Sequence, residues 1–337
     1  MQRRWVVEPL ARVRLLREMT AVAALGALGA CWLLACPVHG QEQKSIGLPA
    51  IWIMDRDGSS AELLAKLPDM KWHGSPSWSH GGKMVAFDAT PANMGWSQCR
   101  VFVIGVEGPF KGMVKDLGCG NCPTWSPDDK QIAFHVLSGN PDGAEPGIWV
   151  MNADGTGRKQ LCRSGGRPRW SPDGRKIVVW GLAILDVQGG KTTKILEDQH
   201  TYSDGATWSP DSKRLTLVGP NAKSREPELC VVDADGGKGS LRVLARGNLG
   251  HQIPSWSPDG KQIVFWIKDE TGVRQLYSVS PDTPGPPVLI DKEKGGVWNA
   301  DPAWSPDSKR IVFSSDRVEK RKGEAEPTTH SDAPGRT

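Results

Sequence analysis

One heptapeptide pattern returns six times along this chain and limits its fold more than any other feature. The copies are Ser77-Trp78-Ser79-His80-Gly81-Gly82-Lys83, Thr124-Trp125-Ser126-Pro127-Asp128-Asp129-Lys130, Arg169-Trp170-Ser171-Pro172-Asp173-Gly174-Arg175, Thr207-Trp208-Ser209-Pro210-Asp211-Ser212-Lys213, Ser255-Trp256-Ser257-Pro258-Asp259-Gly260-Lys261 and Ala303-Trp304-Ser305-Pro306-Asp307-Ser308-Lys309. Their tryptophans lie 47, 45, 38, 48 and 48 residues apart. A repeat of about 40–45 residues is the length of one four-stranded sheet in a radial array, a unit that buries its faces only against its neighbours.

The motif has its own local chemistry. Pro presets φ at the second position of a type I turn, Asp or Ser bonds back to the backbone, and Gly tolerates the exit. A short β-prone run follows each turn, from Met84–Phe87 to Ile311–Phe313. Each copy therefore predicts a β-hairpin, and its Trp is expected to pack between sheets, where its indole N–H can find a partner at a sheet edge. A second element alternates with the first: Ile51-Trp52-Ile53-Met54-Asp55-Arg56-Asp57-Gly58 and its counterparts at 101–108, 148–155, 182–189, 229–236 and 276–283. These apolar strands run into hairpin turns. The two elements are out of phase, because the chain opens on the second kind and closes on the first. The N-terminal strands must then complete the sheet begun at Trp304, which removes a free edge. The expectation is an all-β, six-bladed β-propeller of four-stranded blades over residues 41–316, followed by a disordered charged tail, 317–337.

The alternation of Trp-Ser-Pro-Asp-Gly with Ile-Trp-Ile-Met-Asp-x-Asp-Gly resembles the WD-repeat-like propeller of the TolB family, across about residues 50–316. That resemblance implies a periplasmic, protein-binding propeller. TolB proteins carry an α/β domain ahead of the propeller, whereas here the first propeller strand is expected about ten residues after the leader. Similar propellers precede the hydrolase domain of prolyl-oligopeptidase-like peptidases, but no Gly-x-Ser-x-Gly elbow occurs in this sequence. A third group of relatives acts as metal-dependent polysaccharide lyases.

Residues 1–40 read as a secretory signal. Arg3, Arg4, Arg12, Arg14 and Arg17 precede an apolar run from Ala21 to Ala35, which is shorter than the about 20 residues a bilayer span needs. Cleavage is expected before Gln41. Cys31 and Cys36 each follow a lipobox-like segment, so a lipid anchor is the rival expectation. The leader holds five Arg and two Glu, or +3 of the total +4, which leaves about +1 for the rest. No basic stripe of the kind nucleic acid requires is present, and no second long apolar run. Cys99, Cys119, Cys122, Cys162 and Cys230 remain beyond the leader. A disulfide among Cys99, Cys119 and Cys122 and a set of small buried thiols are both open.

In a propeller the innermost strand of each blade lines the channel, and here that strand precedes each motif Trp. Its polar residues are the candidate site: His73, Asn121, Arg167, His200, Asp204, His251, Gln252, Asn299 and Asp301. Trp78, Trp125, Trp170, Trp208, Trp256 and Trp304 are assigned to structure. The Asp residues of the Ser-Pro-Asp turns are assigned to the turns. The expected function is non-catalytic binding of an envelope protein or peptide at the channel mouth, with no cofactor. The alternative is a metal-dependent lyase or other carbohydrate-acting enzyme, which would need His73, His200 and His251 to converge.

Overall fold

The computed structural model describes residues 47–196 and 205–319, apart from 222, 238, 239, 251, 284 and 292–297. Among the described residues, strands form six four-stranded antiparallel sheets, each a propeller blade. The innermost strands are Met70–Trp78, Asn121–Trp125, Arg169–Trp170, Ala206–Trp208, Ser255–Trp256 and Asn299–Trp304, in blades 1 to 6. They meet their neighbours in sequence around the ring, and that of blade 6 returns to that of blade 1. Blade 6 is built from both ends of the propeller. Its strand Arg310–Ser315 pairs with Ala50–Asp55 in unbroken register, from Ala50 opposite Ser315 to Asp55 opposite Arg310. Glu62–Ala65 completes it on the outside. The expected closure is therefore present.

The core lies between blades. Along Met84–Pro91 the side chains alternate: Val85, Phe87 and Ala89 pack with Ile51, Ile53 and Val312 of blade 6, while Ala86 packs with Trp125, Ile132 and Phe134 of blade 2. Each strand thus serves two interfaces, as its period of two dictates. Six such clusters circle the ring, each holding one motif Trp. Nine residues beyond the Trp stands Phe87, Phe134, Phe265 or Phe313 in four blades, all fully buried.

The motif turns behave as their composition predicts. Ser126, Ser171, Ser209, Ser257 and Ser305 each donate a hydroxyl to the Asp two residues on, at 2.5–2.7 Å. The same Asp accepts the backbone N–H of the basic residue that follows. These bonds hold the turn carboxylates below the usual Asp range, with the Ser126 hydroxyl the largest cause at Asp128. The sixth motif residue has left-handed φ in every copy. It is Gly82, Gly174 and Gly260 in blades 1, 3 and 5, but Asp129, Ser212 and Ser308 in blades 2, 4 and 6. The non-glycine residues reach back to the preceding blade. Asp129 accepts from the N–H groups of His80 and Gly81, Ser212 from that of Asp173, and Ser308 from that of Asp259. The blades are thereby stapled in pairs.

Two expectations need correction. Only Trp208 and Trp256 donate their indole N–H, to Arg169 O and Gly260 O. Trp78, Trp125, Trp170 and Trp304 find no acceptor among the described residues, so apolar burial rather than an edge bond places them. Arg317, expected in the tail, is instead buried. Its guanidinium pairs with Asp291 at 2.9 Å and covers Phe313, so the fold reaches past residue 316. The thiols of Cys99, Cys119, Cys122, Cys162 and Cys230 are all free, which follows the second of the two readings of these cysteines. The leader, with Cys31 and Cys36, and residues 320–337 lie outside the described residues. Among the described residues no helix is long and apolar enough to cross a membrane.

Candidate functional site

The innermost strands all run the same way along the channel, so equivalent positions form rings. The position three residues before each motif Trp holds Ser75, Cys122, Arg167, Gly205, Ile253 and Asp301, and in all but one blade a Pro follows. The pairing slips on either side of this position in blades 1, 2 and 6. A bulge of this kind re-aims a side chain. Ser75, Cys122 and Asp301 have φ of 49°, 52° and 49°, a left-handed conformation that a residue before Pro rarely takes.

The ring is wired together. Asp301 pairs with Arg167 at 3.0 Å and accepts the Ser75 N–H at 3.2 Å. Ser75 donates its hydroxyl to Cys122 Sγ at 3.5 Å. Beneath them Asp88 accepts the Cys122 N–H at 2.6 Å. Burial pushes the Asp88 carboxyl up from the usual Asp range, and the nearby Asp301 adds to the effect. Burial likewise pushes the Cys122 thiol up to about 11, so it stays protonated and unreactive at neutral pH.

Above this ring opens a cavity of about 610 Å³. Its floor and walls include Ser75, Asp88, Asn121, Cys122, Arg167, Ala300 and Asp301, and its rim carries Trp72, Trp96, Trp180, Trp266, Trp298, His135 and Arg274. The aromatics touch in a row. Trp96 meets Trp72 edge-on at 5.3 Å between ring centroids, and Trp72 meets Trp298 at 4.4 Å. Arg274 then lies over Trp298 at 5.4 Å and over Trp266 at 4.3 Å. The row crosses from blade 1 through blade 6 to blade 5. At the other end of the channel a smaller cavity of about 350 Å³ is lined by Trp78, Trp208, Trp256 and Trp304 and the turn prolines.

Of the candidate residues, Asn121, Arg167 and Asp301 come together in the larger cavity. Three others serve the fold. His73 is fully buried; its Nε2 accepts the Leu67 N–H at 2.8 Å and its Nδ1 lies 2.8 Å from Pro49 O. Burial lowers its pKa to about 4. Gln252 bridges irregular backbone, donating to Leu249 O and Trp266 O and accepting from Trp266 N–H. Asn299 donates to Arg274 O and accepts from Ser315 and Arg317. The reason is common to all three: a buried polar side chain satisfies backbone groups that the strand ladder leaves unpaired. His200, Asp204 and His251 lie outside the described residues. Sequence reasoning missed Trp72, Trp96, Trp180, Trp266, Trp298, His135 and Arg274. The available signal was that these tryptophans stand outside both repeating elements.

This chain is matched over residues 38–283 by a family model described as the TolB beta propeller domain. The chain belongs to that family. Solved structures agree with the TolB assignment at the level of fold. A protein described as TolB from Agrobacterium tumefaciens superposes with a TM-score of 0.65 and 18% identity, over 80% of this chain and 98% of that one. TolB from Acinetobacter baumannii gives 0.57 and 17%, over 81% of this chain, which spans 65% of the length of the Acinetobacter protein. An oligogalacturonate lyase in complex with manganese overlaps less well, with a TM-score of 0.47 and 17% identity over 66% of this chain and 69% of that one.

Proposed function

We propose that this TolB-family propeller is an exported binding scaffold of the cell envelope, periplasmic or extracellular, which holds a protein or peptide segment at the larger channel mouth and catalyses no reaction. The supporting observation is the cavity itself. It is preformed, its polar floor is fixed by the Asp301–Arg167 pair, and its rim offers exposed indoles: Trp96 and Trp180 are each 55% exposed. Large aromatics at a rigid concave site bury much area for little loss of side-chain freedom, which favours recognition. The buried, protonated Cys122 offers no activated nucleophile there.

The test is an affinity capture from solubilised envelopes of the host, crosslinked and read by mass spectrometry, with the protein and its Trp96→Ala/Trp180→Ala variant in parallel. A partner held by the first and lost by the second supports a scaffold that binds through the larger mouth. A partner held equally by both moves the interface elsewhere. Turnover of an acidic polysaccharide by the purified protein would replace this reading with the lyase one.

A further inference from the structure

The two guanidinium groups of the larger cavity differ in one respect. Arg167 is matched by Asp301. Arg274 has no carboxylate within ion-pair distance among the described residues, and its side chain donates no hydrogen bond; its recorded contacts are the faces of Trp266 and Trp298. It is half-buried at the start of the strand Arg274–Val279, where main-chain pairing with Lys268 and the Asn299 bond to its carbonyl fix its backbone. A guanidinium held by its face against indoles keeps its N–H edge for a planar, bidentate acceptor, which is the geometry of a carboxylate. Burial works against the Arg274 charge and Asp301 only partly offsets this, so an anion brought beside it gains more than it would at an exposed arginine.

A second unmatched group lines the same cavity. Asn121 is 8% exposed, and its side-chain Oδ1 has no hydrogen-bond partner among the described residues. A buried acceptor left without a donor costs free energy that a ligand N–H can recover. The cavity thus lacks one anion and one donor, beside an indole row running from Trp298 through Trp72 to Trp96.

We propose that the cavity recognises a peptide segment bearing a carboxylate, which pairs with Arg274 while an adjacent aromatic or aliphatic side chain lies along Trp298, Trp72 and Trp96. This rests on the larger mouth being the binding site and adds the chemical class of its occupant. An acidic polysaccharide fits less well. Its sugars are polar on every edge and carry no apolar side chain to lie along the indoles, and they offer hydroxyl groups rather than a main-chain N–H to Asn121. A peptide supplies a single carboxylate, a main-chain N–H for Asn121 and an apolar side chain from within two residues.

The test uses the full chain and small probes, followed by calorimetry. N-acetyltryptophan carries the carboxylate and N-acetyltryptophanamide does not; a short aromatic peptide with a free or amidated C-terminus repeats the comparison, and oligogalacturonate is the sugar arm. The carboxylate probes are expected to bind about tenfold to hundredfold more tightly than their amides, as charge-assisted bonds imply. Arg274→Gln should remove that preference, and Arg274→Lys should keep part of it; thermal melts establish that both variants fold. Equal binding of acid and amide, abolished by Trp72→Ala, would overturn the carboxylate inference and leave the binding site standing. Binding of oligogalacturonate alone would overturn the peptide class. No binding by any probe at millimolar concentration would overturn the inference, while the envelope capture above decides the wider reading separately.

Discussion

The carboxylate of Asp129 crosses a blade boundary to accept the backbone N–H of Gly81 at 2.7 Å, and its other oxygen takes that of His80 at 2.6 Å. It does so from a left-handed backbone, φ 58°. Glycine would relax that conformation but could not form the bonds. Asp129→Gly is therefore expected to destabilise by about 1 kcal/mol, and Asp129→Ala by more, because alanine loses the bonds and keeps the strain. At Ser212 and Ser308 a neutral hydroxyl accepts one N–H at 3.1 Å, so their glycine variants should change stability by less than about 0.5 kcal/mol. Denaturant midpoints at constant slope measure the series. An Asp129→Gly protein more stable than the parent would show that the staple contributes nothing.

The Arg167–Asp301 pair joins blades 3 and 6 across the channel. Its side chains are 32% and 12% exposed, so removing one partner leaves the other charge only partly solvated. A double-mutant cycle with Arg167→Gln and Asp301→Asn should give a coupling of about 1 kcal/mol or more, measured by chemical denaturation. Additive single effects would mean that the pair does not stabilise the ring.

His73 sets an acid limit on stability. Its pKa falls from 6.5 when the chain is unfolded to about 4 in the folded protein, chiefly through burial. Between these values the unfolded chain binds the extra proton. The contribution of His73 is therefore complete above pH 6.5 and is lost as the pH falls toward 4, on the order of 3 kcal/mol in total. His135 shifts in the same direction for the same reason and steepens the decline. NMR titration of the imidazole signals provides the check, and a His73 signal titrating near 6.5 in the folded protein would contradict the assignment.

Trp96 and Trp180 are exposed on the cavity rim, each 55% accessible. Trp96→Ala and Trp180→Ala should each leave the unfolding midpoint within about 0.5 kcal/mol of the parent while weakening peptide binding. By contrast Phe134→Ala, at a fully buried position between blades 1 and 2, should cost about 3–5 kcal/mol and leave the binding groups in place. The two measurements together separate the site from the scaffold.

The sequence by itself determined the blade number, the turn chemistry and the closure of blade 6. The turns are local, since Ser126 meets Asp128 within one turn, and alternation along Met84–Pro91 assigns each side chain to one blade interface; the closure was legible because the two repeating elements are out of phase at the chain's ends. It also brought Asn121, Arg167 and Asp301 forward, because they precede a motif Trp. The tertiary structure alone decided that His73, Gln252 and Asn299 serve backbone groups outside the strand ladder, since a local hydrogen-bond deficit has no signature in residue type. It alone assembled the indole row. Trp96, Trp72, Trp298 and Trp266 come from three blades at positions that do not repeat, and only closing the ring between Asp55 and Arg310 sets blade 6 beside blade 1 and completes the cavity.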